Sequence, residues 1–283
     1  MPTLVLPTWF FLIILGGFGL IFGSFANVVI WRLPRGESLS SPPSHCPKCG
    51  TPIRWSDNVP LVGWLCLRGR CRDCGEPISW RYPAVEGLSG ALWVLAGVLF
   101  GQTAACAVAI AFFWTLMVLA FIDLDTQRLP NSIVAALAAV GAVAVLGTQF
   151  VPGLSAAPLI GTAETGVLAQ PAVAALIGAA LGIGTSTAIA GLYSLVRRRQ
   201  GMGFGDFKLL GTMGLFMGPY VLLALFFGSL AGSAVGLAAA SRASAGERGA
   251  LKIPFGPFLA LGAVATMWVG PALWHWYAGL LGL

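Results

Sequence analysis

Two short stretches decide how this chain folds: Phe121-Ile-Asp-Leu-Asp-Thr-Gln-Arg-Leu-Pro-Asn131 and Gly201-Met-Gly-Phe-Gly-Asp-Phe-Lys208. Each places a carboxylate at the edge of a long apolar segment. An ionisable side chain at membrane depth costs about 2.5–3.5 kcal/mol on insertion scales, so it is a functional candidate by default. Two such positions in one chain favour a pair of acidic groups that act together.

The composition around these stretches is that of a membrane protein. The 283 residues are 57% hydrophobic and 9% charged, whereas soluble domains average about 25% charged residues. A span needs about 20 apolar residues, and segment 207–218 is short by that measure. We predict an all-α polytopic membrane protein with about eight transmembrane helices, the first of them uncleaved because no basic residue precedes it. The eight segments are 7–31, 84–100, 104–122, 131–150, 170–196, 207–218, 220–241 and 255–281.

The basic residues are distributed asymmetrically along the chain. Eight spans with the N-terminus outside put all sixteen Lys and Arg residues on one side, which the positive-inside rule identifies as cytoplasmic. The opposite loops, near 101–103, 151–169 and 219, contain no Lys or Arg. The formal charge of +6 therefore suits an anionic cytoplasmic leaflet, and membrane lipids rather than nucleic acid are the predicted partners. Both carboxylate stretches fall on the cytoplasmic side.

A polar region rich in Pro, Gly and Cys interrupts the apolar pattern. It contains two similar motifs, Cys46-Pro-Lys-Cys49-Gly and Cys71-Arg-Asp-Cys74-Gly, separated by 21 residues. The usual four-cysteine zinc spacing is about 15–20 residues, and four cysteines can close a tetrahedral structural site. We predict that Cys46, Cys49, Cys71 and Cys74 bind structural zinc, the alternatives being unmetallated thiols or a redox pair. Cys66 and Cys106 have no partner at ligand spacing.

These patterns predict three parts of the chain. Residues 1–31 form the first transmembrane helix, 32–83 a cytoplasmic zinc-binding domain, and 84–283 a seven-helix membrane core that holds both carboxylate stretches. Gly19 and Gly23 are four residues apart in the first helix, a spacing that lets two helices pack closely, so we interpret them as a packing face.

The first carboxylate stretch contains two aspartates and a turn. Asp123 and Asp125 are two residues apart, which is about 200° of rotation on a helix, so both cannot face one partner. The spacing alone does not say which of them does. Pro130 ends the stretch and Asn131 is predicted to cap the next helix.

The second carboxylate stretch alternates glycine with other residues. Gly201, Gly203 and Gly205 are expected to allow an irregular backbone that lines a cavity. Asp206 then opens a helix. Lys208 should point away from Asp206 and reach the cytoplasmic surface.

Two carboxyl groups brought within a few ångströms cannot both ionise easily and therefore share a proton. One acts as general base on water, and the other, protonated, polarises a carbonyl, which is amide hydrolysis without a metal or a covalent intermediate. The residues leave three alternatives open. The aspartates could cap separate helices, bind a cation, or relay protons in a cation- or proton-coupled membrane transporter.

At these residues the chain resembles the type IV prepilin peptidases (leader peptidase/N-methyltransferases), of the GxGD class of intramembrane aspartyl proteases. The similarity lies in the two cysteine motifs, in Asp123 with Leu129-Pro-Asn131, in Gly203-Phe-Gly-Asp206 with Lys208, and in three further motifs, Gly23-Ser-Phe-Ala-Asn-Val-Val-Ile-Trp-Arg-Leu-Pro34, Arg81-Tyr-Pro-Ala-Val-Glu86 and Ile253-Pro-Phe-Gly-Pro-Phe258. The resemblance implies that Asp123 and Asp206 are the catalytic pair, whereas Asp125 falls at a more variable position.

The resemblance also implies the reaction. Such an enzyme cleaves the leader of type IV prepilins or type II secretion pseudopilins after a glycine, on the cytoplasmic face of a bacterial inner membrane. It then methylates the new N-terminus from S-adenosylmethionine. No Rossmann-type G-x-G-x-x-G motif marks a methyl-donor pocket. The resemblance points to the cytoplasmic loop for this step, near Arg32–Glu37 and Glu86, which can equally be packing groups.

Overall fold

The computed structural model describes residues 6–151, 156–160, 167–198, 202–242 and 253–281. Among them are nine α-helices and no strand apart from isolated bridges near the cysteines, which confirms the all-α prediction. Gly201, Arg199, Arg248, Lys252 and part of the 151–169 loop lie outside the described residues. The helices are α1 Thr8–Arg32, α2 Val62–Cys66, α3 Arg81–Phe100, α4 Ala104–Thr126, α5 Asn131–Phe150, α6 Pro171–Arg197, α7 Phe204–Met217, α8 Val221–Arg242 and α9 Gly256–Leu281.

Seven candidate spans are long and apolar enough to cross a membrane among the described residues. One of them, Phe204–Arg242, contains two helices, α7 and α8, joined by a 3-10 turn at Gly218–Tyr220. Each of the eight predicted apolar segments therefore coincides with a helix. The chain is a multi-pass membrane protein.

The chain divides into two compact units, Met1–Gln102 and Thr103–Leu283. In the first unit α1 packs against α3 at backbone contact. A Cβ atom built on Gly19 would lie 2.8 Å from Cα of Gly90, and one built on Gly23 would lie 2.6 Å from Cα of Glu86. The packing face predicted for Gly19 and Gly23 is confirmed. The division of the chain at residues 31 and 83 stays a prediction.

In the second unit the short helix α7 is enclosed by other helices. Nine of its fourteen residues are buried, and it contacts α5, α6, α8 and α9. Gly178 of α6 and Gly214 of α7 meet with no room for a Cβ atom on either. Fourteen residues span roughly 21 Å, less than the hydrocarbon core of about 30 Å. The burial of most of its length among α5, α6, α8 and α9 accommodates so short a helix within the bundle, although its first residue, Phe204, is exposed.

Two features position α4 against α7: a ring contact in the apolar core and a turn of the chain after α4. The rings of Phe112 and Phe216 stack with centroids 4.6 Å apart, which joins α4 to α7. At the other end of α4 the helix stops after Thr126, because Gln127 takes a left-handed conformation with φ +52°. The chain then turns at Pro130 into α5. This turn places the first carboxylate stretch beside the start of α7.

Candidate active site and metal centre

The fold treats the two aspartates of α4 differently. Asp123 is buried, with 5% of the residue exposed, whereas Asp125 is exposed. Asp123 Oδ2 accepts a hydrogen bond from the backbone N–H of Gly256 at 2.8 Å. The expectation that only one of the two aspartates faces inward is confirmed, and that aspartate is Asp123.

Asp206 lies on the first turn of α7, as predicted, and is 8% exposed. Its Oδ2 accepts a hydrogen bond from the N–H of Gly203 at 3.2 Å. Its own N–H donates to the carbonyl of Gly203 at 3.1 Å. Asp206 therefore caps the helix that it opens, and a helix N-terminus favours a negative charge at that position.

The structure brings the two carboxylate stretches together. The carboxyl groups of Asp123 and Asp206 are close enough to interact electrostatically. Beside them a Cβ atom built on Gly205 would lie 3.0 Å from Cβ of Leu129. Lys208 Nζ donates to Asn131 Oδ1 at 3.0 Å. The start of α7 is thus seated on the turn that follows Asp123, through contacts on either side of Asp206.

Two local expectations were wrong. Gly203 has φ −73° and ψ 147°, which any residue can adopt, and Gly205 lies within the helix; the lack of a side chain is needed for close approach to Asp206 and Leu129. Asn131 does not cap α5 with its side chain. The side chain of Asn131 instead accepts a hydrogen bond from Lys208, which reaches this exposed turn from α7.

The Gly256 contact was not foreseen from the sequence. Gly256 follows Asp123 by 133 positions, and its amide reaches the carboxylate only because α9 packs on α4. The available signal was local: Pro254 and Pro257 flank Gly256, which marks the start of a helix where amides lack partners within the helix.

The four predicted metal ligands form a cluster. The Sγ atoms of Cys46, Cys49, Cys71 and Cys74 all lie within 4.8 Å of one another, and those of Cys46 and Cys74 are 3.8 Å apart. Sulfurs bound tetrahedrally at the usual Zn–S length of about 2.3 Å are roughly 3.8 Å apart. The donor set therefore fits one four-coordinate metal ion.

The two cysteine motifs share one backbone geometry. Gly50 and Gly75 both have φ +73°, where side chains are disfavoured. Their amides donate to the carbonyls of Cys46 at 2.9 Å and Cys71 at 3.0 Å. Each motif thus turns the chain so that both of its thiols point to the same place.

Polar contacts near the cluster tie the second motif to the segment between the two motifs. The Arg72 guanidinium donates two hydrogen bonds to the Asp57 carboxylate, at 2.8 and 2.5 Å. These bonds lower the pKa of Asp57 below its usual value. The hydroxyl and backbone of Thr51 lower the pKa of the Cys49 thiol to about 6. In the same cluster, burial and the neighbouring thiols raise the pKa of Cys74 to about 12, so the four thiols differ in how readily they ionise.

The residues suggested for the methylation step have structural partners. The buried Arg32 donates to the carbonyls of Ser38 at 3.0 Å and Pro42 at 2.7 Å. The side chain of Glu86, a residue that is 9% exposed, accepts a hydrogen bond from the N–H of Leu61 at 2.8 Å. These bonds tie the loop after α1 and the segment before α2 to the helix pair. A part for these residues in methylation stays a prediction.

Family models match most of the chain. The bacterial peptidase A24 N-terminal domain matches residues 18–100, and the type IV leader peptidase family matches residues 110–237. Both models describe peptidases, and the seven candidate spans among the described residues make this chain a membrane peptidase by class. The chain belongs to the type IV leader peptidase family. The resemblance inferred from the motifs is confirmed.

Curated relatives agree with the family models over nearly the full length. A prepilin leader peptidase/N-methyltransferase of Klebsiella pneumoniae is 39% identical, covering 71% of this chain and 82% of that protein. A prepilin leader peptidase/N-methyltransferase of Aeromonas hydrophila is 33% identical, covering 95% of this chain and 94% of that protein. A protein of Escherichia coli named "Type 4 prepilin-like proteins leader peptide-processing enzyme" is 36% identical, covering 89% of this chain and 91% of that protein. No solved structure matches the chain.

Proposed function

We propose that this protein is a bifunctional prepilin leader peptidase. It cleaves the leader of type IV prepilins or type II secretion pseudopilins after a glycine, and then N-methylates the exposed N-terminus. Membership of the family and the names of the relatives support this reading. The comparisons do not support the alternative of a cation- or proton-coupled transporter.

The catalytic pair in this proposal is Asp123 and Asp206. The observation that carries it is that two buried carboxyl groups meet at one junction, where the start of α7 contacts the turn after α4 through Lys208–Asn131 and Gly205–Leu129. Such a pair holds one proton between its members. The ionised member takes a proton from water as it attacks the scissile carbonyl, and the protonated member donates to the carbonyl oxygen. The collapsing tetrahedral intermediate then passes a proton to the leaving amine.

The location of the site follows from the charge distribution. With the N-terminus outside, the ends of the helices that bear Asp123 and Asp206 face the cytoplasm of a bacterial inner membrane, together with the cysteine motifs. Leaders would then be cut on the side where prepilins are made. Membrane lipids are the solvent of the helices, and nucleic acid is not a partner.

The four-cysteine site is proposed to hold structural zinc. Cys46, Cys49, Cys71 and Cys74 supply four thiolates, which leaves no open position for substrate or water and therefore no catalytic part for the metal. The region around them is too small for a large apolar core, so metal binding would stabilise its fold.

The methyl group comes from S-adenosylmethionine in this proposal. The chain's own contribution is to produce the acceptor, because cleavage exposes the free α-amino group that is methylated. No residue is assigned to the methyl donor.

One experiment tests both halves of the proposal. The full chain in detergent or lipid nanodiscs is incubated with a short prepilin and isotope-labelled S-adenosylmethionine, and the products are weighed by mass spectrometry. We expect one cut after a glycine and a labelled methyl on the new N-terminus. A cut without the label would restrict the protein to proteolysis, and no cut at all would refute the peptidase.

A further inference from the structure

The first turn of α9 leaves one amide without an acceptor in its own helix. The carbonyl of Phe255 accepts from the amides of Phe258 and Leu259, each at 3.1 Å. Pro257 has no N–H to donate. The Gly256 N–H is therefore the first-turn donor that needs a partner outside the helix.

That partner is the Asp123 carboxylate. The bond from Gly256 N to Asp123 Oδ2 is 2.8 Å long, and both residues are buried. A buried amide without an acceptor is costly, so the bond is strongly favoured. Asp123 therefore caps α9 from a different helix, in the same way that Asp206 caps α7 through Gly203.

The contact requires glycine at position 256. A Cβ atom built there would lie 2.8 Å from Asp123 Oδ2 and 3.2 Å from both Cβ and Cγ of Asp123. Contacts under 3.0 Å are essentially never made by real Cβ atoms. Any side chain would push the carboxylate away from the amide.

On the basis of the proposed peptidase function, we propose that Gly256 is a positioning residue for Asp123. Its N–H holds one carboxylate oxygen, and its missing side chain makes room for the carboxyl group. The bond restrains rotation about Cβ–Cγ of Asp123 and so defines where the other oxygen lies relative to Asp206 and to the substrate.

The test uses Gly256→Ala in the full chain, with cleavage of a short prepilin followed over a range of concentrations. We expect kcat per folded molecule to fall by on the order of 10²-fold, because a carboxylate displaced by about 1 Å loses its alignment. KM should change little, since Gly256 acts through Asp123 and not on the bound peptide.

Gly228→Ala is the matched control. A Cβ atom on Gly228 would lie 2.8 Å from the carbonyl oxygen of Phe258, so it crowds the α8–α9 contact at the same distance, against backbone and without touching an aspartate. We expect Gly228→Ala to lower Tm and to keep kcat near that of the parent protein.

A second readout does not depend on catalysis. In an Asp123→Ala background the group that Gly256→Ala displaces is gone, so the loss of Tm caused by Gly256→Ala should be smaller than in the parent protein. Gly228→Ala should lower Tm equally in both backgrounds.

The outcomes are distinguishable. Unchanged kcat in Gly256→Ala, or equal losses of kcat in Gly256→Ala and Gly228→Ala with additive effects on Tm, would overturn the assignment of Gly256. A parent protein that cuts no prepilin would overturn the peptidase proposal. The Tm comparison would still decide whether Gly256 positions Asp123.

Discussion

Asp123 and Asp125 carry the same side chain two residues apart, and only their surroundings separate them. Asp123 is buried, accepts a hydrogen bond from the Gly256 amide and interacts electrostatically with Asp206. Asp125 is exposed on the other side of α4. Chemistry that needs a desolvated carboxyl group can therefore use Asp123 and not Asp125.

Replacing either member of the proposed pair should stop proteolysis. We expect Asp123→Asn and Asp206→Asn each to reduce cleavage by on the order of 10³-fold, because an amide can neither accept the proton of water nor deliver one. Asp125→Asn is the control and should retain readily measurable activity. Product formation is followed by mass spectrometry, and near-normal rates in either of the first two variants would remove the pair from the mechanism.

The residue scale is also where sequence reasoning was least complete. The acidic candidates could be found, because a carboxylate at the edge of an apolar segment is conspicuous. Whether Gly203 and Gly205 serve conformation or close approach could not be decided, since the answer depends on Leu129 and Asp206 arriving nearby. The Gly256 contact depends in the same way on packing between distant helices.

At the scale of elements, α7 is held at its start by the turn between α4 and α5. Lys208 on α7 donates to Asn131, and Gly205 meets Leu129. The ammonium group of Lys208 also lies over the Phe204 ring, 4.6 Å from its centroid. These contacts fix where α7 begins relative to the turn between α4 and α5, and hence the position of Asp206.

A double-mutant cycle should detect the Lys208–Asn131 bond. We expect Lys208→Met and Asn131→Ala each to lower stability, with a coupling energy of about 0.5–1.5 kcal/mol between them. Unfolding is measured by thermal denaturation of the protein in nanodiscs. Arg128→Met provides the control, because its side chain makes no hydrogen bond with any residue in the described ranges; it should be additive with Asn131→Ala. Additivity in the Lys208–Asn131 pair as well would argue against the bond.

The cysteine motifs are a second element whose geometry predicts its chemistry. We expect one zinc per chain, and Cys46→Ser or Cys74→Ser should abolish stoichiometric binding. Zinc contributes about 10–16 kcal/mol to small zinc-dependent folds at neutral pH. Its loss should therefore expose residues 32–83 to limited proteolysis.

Cys66→Ser is the matched control for zinc, since Cys66 is outside the cluster of Sγ atoms. It should keep its metal and its resistance to protease. Metal analysis and digestion patterns report the two effects separately. A parent protein purified without zinc, and equally resistant with chelator, would contradict the metal assignment.

At the scale of the whole molecule, the helices were predictable because length and hydropathy are local properties. Each predicted segment contains a helix, including the short one at α7. The enclosure of α7 was not predictable, since it comes from glycine contacts with α6 that join distant parts of the chain. The cysteine cluster was partly predictable: each of the two repeated motifs defines its own turn, but their meeting depends on the chain between them.

The predicted orientation of the molecule can be checked with reporter fusions. We expect alkaline phosphatase fused after Gln102 to be active, because that loop faces outward, and phosphatase fused after Arg128 to be inactive. Green fluorescent protein should give the opposite pattern. The basis is that eight spans with the N-terminus outside would put all sixteen basic residues on one side. An active phosphatase at Arg128 would require a different topology.

The capping of α9 by Asp123 bears on how an inactive form of the protein should be made. A substitution at Asp123 would remove both a proposed catalytic group and the hydrogen-bond acceptor for the Gly256 amide at the start of α9. A trap that holds an uncut substrate is therefore better built at Asp206, whose carboxylate secures only its own helix. A structure of an Asp123 variant would show a site in which the start of α9 has lost its hydrogen-bond acceptor and has shifted because of the substitution.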